Sequence, residues 1–114
     1  MREELNAFLA QIPEWQSMSA GGLVNYFVYF LTVVRELEAA TASQVSECFA
    51  LVRLKQYSNI PAYLSRNSVR KKSKRPLFIK TSTGYQLERI HEEELGKTLQ
   101  TGPARTEATQ ALSG

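Results

Sequence analysis

Apolar residues recur along the chain at helical spacing for most of its length and at strand spacing in one short stretch. Leu5, Phe8, Leu9 and Ile12 fall at i, i+3, i+4 and i+7, which predicts an amphipathic helix over 2–12 that stops at Pro13. Three turns alone are marginal in water, so this helix must dock on another element. Residues 14–19 read as a connector with Trp15 and Met18 as packing anchors. Positions 21–38 form the most apolar stretch, and between 23 and 34 the run includes only Asn25 and Thr32 as polar residues. A membrane span needs about 20 residues, so this run predicts a buried helix. Its apolar side chains go almost all the way round, which leaves two arrangements open: a central core helix, or a helix with one side against a second subunit.

Thr41 followed by Gln44 is a capping-box signature, and Val45, Cys48, Phe49 and Val52 continue it as an inward stripe. After a polar break at 55–57, Ser58 suits the N-cap of a further helix over 58–69, with Pro61 tolerated in its first turn. Ile60, Tyr63 and Leu64 point inward in that helix. Ala62, Ser65, Arg66 and Val69 lie opposite, with Asn59 at the edge. The helical pattern ends in a basic run, Arg70, Lys71, Lys72, Lys74 and Arg75, closed by Pro76. Residues 77–81 and 85–87 then read as two strands joined by a short loop with Gly84 where φ > 0 is expected. A last helix over 90–99 carries Glu92 and Glu93 in its first turn, as the helix dipole prefers. Beyond Gln100 there is almost nothing to bury. The expected organisation is an N-terminal helical extension (1–19), a main domain (20–99) and a flexible tail or linker (100–114).

Length and composition narrow the class. With 114 residues, 43% hydrophobic, 22% charged and 10% aromatic, one soluble globular domain is expected. The opening Met-Arg-Glu-Glu-Leu lacks a basic stretch feeding an apolar segment, so no secretory signal and a cytoplasmic location are expected. The single cysteine, Cys48, excludes an intrachain disulfide framework and a cysteine-rich zinc site. It sits on an inward stripe and reads as a small core residue. All 11 acids are Glu, and His91 is the one histidine. A Ser-His-Asp triad therefore cannot be built, and phosphate-cradling glycine loops are missing. We expect no catalysis, no metal and no cofactor. His91, at the start of an acidic helix, reads as solvated or capping.

The net charge of +3 conceals a polarised chain. Positions 48–87 hold nine Lys and Arg and no acid, whereas the rest of the chain sums to −6. The centre is thus a candidate surface for a polyanion.

The order helix, helix, turn, basic helix, basic loop, hairpin, helix resembles a winged helix-turn-helix domain, mainly α with a small β-hairpin. Thr41-Ala42-Ser43-Gln44-Val45 looks like the opening of the first motif helix, and residues 58–69 take the recognition-helix position. Phe78-Ile79-Lys80 through Gly84-Tyr85-Gln86-Leu87 looks like the wing. Tyr85-Gln86-Leu87-Glu88 before a helix is similar to the wing exit of bacterial winged-helix transcriptional regulators, although Glu88-Arg89 replaces the Thr-Gly that many of them carry. The resemblance implies duplex DNA as partner. Arg66 and Asn59 would read base edges, Ser58 and Ser65 would bond phosphates, and Arg70, Lys71, Lys72, Lys74 and Arg75 would follow the backbone or a minor groove, with Lys80 on the wing. The alternative is a winged-helix adaptor that binds protein. RNA and an anionic membrane are less well matched: the cations lack interleaved aromatics apart from Phe78 and Tyr85, and the basic segment has no apolar helical face of its own. The surplus apolar surface of 2–12 and 21–38 is expected to form a homodimer, unless the first helix folds over the second within one monomer.

Overall fold

A computed structural model describes residues 2–54, 59–69 and 75–100. It is mainly α, 61% helical, with one two-stranded antiparallel hairpin. The elements are α1 (Arg2–Leu9), a 3-10 turn (Trp15–Ser17), α2 (Ala20–Tyr29) continued by a π-helical turn (Phe30–Val34), α3 (Ala42–Leu51), α4 (Ile60–Arg66), β1 (Phe78–Lys80), β2 (Tyr85–Leu87) and α5 (Arg89–Gln100). The described residues contain no helix long and apolar enough to cross a membrane.

α2 is the hub because it is apolar all round. On one side Phe8 of α1 meets Tyr26, Tyr29 and Phe30 with ring centroids 5.3–6.3 Å apart. On another, Phe27 sets its ring edge-on to Phe49 of α3 at 4.8 Å. α5 comes close enough that a Cβ on Gly96 would lie 3.2 Å from the Tyr29 hydroxyl. The polar residues inside the apolar run also have partners. Asn25 accepts from the Tyr63 hydroxyl of α4 (2.9 Å), and Thr32 donates back to the Val28 carbonyl (2.8 Å).

This arrangement makes 21–38 a central core element of the single chain. Leu5, Phe8, Leu9 and Ile12 are all buried in the same core as Phe27 and Phe49, with Phe8 only 4% exposed. The first helix therefore folds over the second within one chain. The apolar surplus of 2–12 is thereby buried within one chain, while Val33, Val34 and Leu37 of 21–38 stay exposed.

Helix ends also differ from the pattern. α1 closes at Leu9, and i→i+3 bonds from Gln11 to Phe8 and from Ile12 to Leu9 carry the turn to Pro13. The 21–38 helix ends early. Its last turn widens, with Arg35 N–H reaching the Phe30 carbonyl (2.9 Å), and Glu36 takes a left-handed conformation (φ 60°) that stops it. The wider π turn changes the direction of successive side chains, so Phe30 and Leu31 are buried while Val33 and Val34 face out.

Candidate nucleic-acid interface

α3 starts as its capping box requires: Thr41 Oγ1 accepts from Gln44 N–H (3.1 Å), and Gln44 Oε1 accepts from Thr41 N–H (3.0 Å). Val45, Cys48 and Phe49 are buried on its inner face. Burial, with a lesser contribution from Glu47, pushes the Cys48 thiol up to about 12, as befits a core residue rather than a nucleophile. The helix closes with Arg53 in the left-handed region (φ 59°), exposed.

α4 is held by its inner stripe. Ile60 and Leu64 are buried, and Tyr63 packs edge-on to Phe78 of the hairpin at 6.0 Å. Its N-cap is Asn59, whose Oδ1 accepts from Ala62 N–H (3.3 Å). The cap is thus one residue later than the Ser58 expected from sequence. The reason is that Asn59 leaves helical geometry (φ −141°, ψ 61°) immediately before the first helical residue. Its amide oxygen is thereby engaged by the backbone, which limits the base-reading role expected of it. Ser65 and Arg66 are exposed on the outer face, and Arg66 makes no ion pair among the described residues.

Past α4, Asn67 joins the helix to the hairpin. Its carbonyl accepts from both Leu77 N–H (2.8 Å) and Phe78 N–H (3.2 Å), while its side chain donates to the Tyr63 carbonyl (2.8 Å). The end of α4 and the start of β1 are therefore one unit, with Arg66 on its helical part and the exposed Lys80 on its strand. Arg75 is also exposed. Ser58, Arg70, Lys71, Lys72 and Lys74 lie outside the described residues, as does the expected tail from 101 onward.

β1 and β2 pair in the register Phe78 with Leu87, Ile79 with Gln86 and Lys80 with Tyr85. Phe78 and Leu87 are buried, and Ile79 is 46% exposed. The turn is tied by Thr81, whose hydroxyl accepts from Thr83 N–H (3.2 Å) and Gly84 N–H (3.1 Å). Two reciprocal bonds of 2.8 Å between Ala40 and Tyr85 fasten β2 to the segment ahead of α3. Gly84 is required there. Its φ is +156°, and a Cβ would lie 2.5 Å from the Ala40 carbonyl oxygen.

Glu88 Oε1 accepts from Ile90 N–H (3.0 Å) and His91 N–H (3.1 Å), so the residue that departs from the winged-helix regulator pattern holds the start of α5. His91 is not solvated as its sequence position suggested. Its side chain is only 14% exposed, and Nε2 is buried without a partner. Burial holds its pKa below the usual imidazole value, against the opposing pull of Glu94 and Glu88. Among the described residues no cluster of three or more His, Cys, Asp or Glu could hold a metal ion.

No family model, curated protein or solved structure matches this chain.

Proposed function

We propose that the chain is a winged-helix protein that binds duplex DNA, with α4 in the major groove and the β1–β2 hairpin as the wing. Regulation of transcription is the role this reading implies. The observation that carries it is an outward face of α4, with Ser65 and Arg66 exposed, inside a 40-residue stretch that contains no acid. Arg66 would pair with a guanine edge, and Arg75 and Lys80 would meet the backbone. The basic run 70–74 would add phosphate contacts beside them. The adaptor reading is favoured by one feature: α4 has only seven residues, and its cap occupies Asn59.

Titration of the chain against random duplex DNA over a salt series separates the two. With four to six phosphate contacts, log K falls against log[salt] with a slope of about −3.5 to −5.5. Replacing Lys71, Lys72 and Lys74 together weakens binding to all sequences alike. Arg66→Ala instead relaxes preference at one base step, at a cost of about 1–3 kcal/mol. A flat salt response rejects the DNA reading in favour of the adaptor.

A further inference from the structure

A groove of about 200 Å³ opens on the face of the molecule formed by α1, the π turn and α5. It is smaller than the roughly 300–1,000 Å³ of small-molecule pockets, and so suits a single large side chain. Its floor is aromatic: Phe8 and Tyr29 stack at 6.0 Å with a 21° interplanar angle. Its margin is apolar and open, with Val33 and Val34 at 36% and 48% exposure. Elsewhere Val69, Ile79 and Ile90 are exposed singly in sequence, which needs no explanation, whereas a contiguous patch beside a cleft does. The patch exists because the π turn rotates Val33 and Val34 out of the core, and such turns recur at functional sites.

The charges around the groove indicate its occupant. On α1, Phe8 lies one turn after Glu4 on the same face, with Gln11 in the turn beyond; on α5, Gly96 and Leu99 continue a stripe that begins at Glu92. The ion pair between Glu4 and Arg35 sets the start of α1 beside the end of the π turn. Gly96 lies against Tyr29, and Thr98 bonds Tyr26, so α5 also runs antiparallel to α2. Glu92 is close enough to Tyr29 to raise its pKa further, after burial. Glu4 and Glu92 therefore lie toward the same end of the groove, where the exposed Glu36 follows Arg35 in the chain. Glu4 is neutralised by Arg35, whereas Glu36 and Glu92 make no ion pair among the described residues.

We propose that this groove is the docking site for a peptide segment of a partner protein that carries one large apolar side chain with Lys or Arg beside it. The apolar residue fills the cleft over Phe8 and Tyr29, and the cation meets Glu36 and Glu92. A symmetric second copy fits less well, because it would bring another set of the same carboxylates to the contact. The site is separate from the basic α4 surface and does not depend on the DNA reading.

The test is to pan a phage-displayed library of random 12-residue peptides against the full chain, then measure synthetic versions of the enriched peptides by fluorescence anisotropy. Enriched peptides are expected to share one Leu, Ile, Met or Phe with a Lys or Arg within about one helical turn. Val34→Glu and Glu92→Lys, checked for retained fold by circular dichroism, should each weaken binding by tenfold or more, and Arg66→Ala should leave it unchanged. Absence of enrichment, enrichment of acidic peptides, or binding indifferent to Val34→Glu overturns the proposal. A concentration-dependent dimer in light scattering that Val34→Glu abolishes overturns it in favour of a second copy.

Discussion

His91 carries the clearest pH signature among the single residues. Its neutral ring is held where burial disfavours the cation, so its folded pKa lies below the unfolded value of about 6.5. The unfolded chain then takes up a proton that the folded chain resists. Stability contributed by this site is complete above pH ~6.5 and is lost as pH falls toward the lowered folded value. Urea midpoints measured for wild type and His91→Leu should diverge as pH falls below about 6.5, with the variant flatter there. The buried Nε2 also loses nothing by replacement, since it has no partner to give up. Equal slopes for the two proteins would show that His91 does not sense pH. Asn59 and Arg66, both candidate base readers by sequence, are told apart by stability measurements of the same kind. Asn59→Ala removes an N-cap and should cost about 0.5–2 kcal/mol of stability. Arg66→Ala touches an exposed side chain and should stay within about 0.5 kcal/mol. If Arg66→Ala proves the more destabilising, Arg66 is a structural residue and its assignment to DNA fails.

Among the elements, the hairpin depends on a contact distant in sequence. Gly84→Ala places a Cβ against the Ala40 carbonyl, and the strand must shift to relieve it. The expected cost is about 1–3 kcal/mol, with faster amide exchange at Ala40 and Tyr85, whose reciprocal bonds are broken first. Unchanged protection at both amides would mean that the hairpin stands without this bridge. Capping was legible in the sequence because its chemistry is local: Thr41 and Gln44 are three residues apart and bond each other. The end of α2 was not. Nothing in the residue types from 30 to 38 forbids continued helix, yet the chain leaves it at the left-handed Glu36, just past the buried Phe30 and Leu31. Likewise Ser58 and Asn59 are both good caps by type, and the backbone at the start of α4 chose between them.

For the molecule as a unit, one core takes in α1 as well as the elements from α2 to α5. Phe8→Glu therefore buries a charge among Tyr26, Tyr29 and Phe30 and should unfold the chain rather than split a dimer. Light scattering of the wild type should give a mass near 12.9 kDa at micromolar concentration. A folded Phe8→Glu monomer derived from a wild-type dimer would reverse this expectation. Residue order alone was enough to read the succession of elements, the inward and outward stripes of α3 and α4, and the separation of a basic centre from acidic flanks. Each of these depends on periodicity and charge over a few consecutive residues. Packing in three dimensions was needed to establish that α1 covers α2, that His91 is enclosed, and that Val33 and Val34 border a groove between α1 and α5. An apolar stripe states that a surface must be buried but does not name its partner, and that choice is made by contacts among elements far apart in the chain.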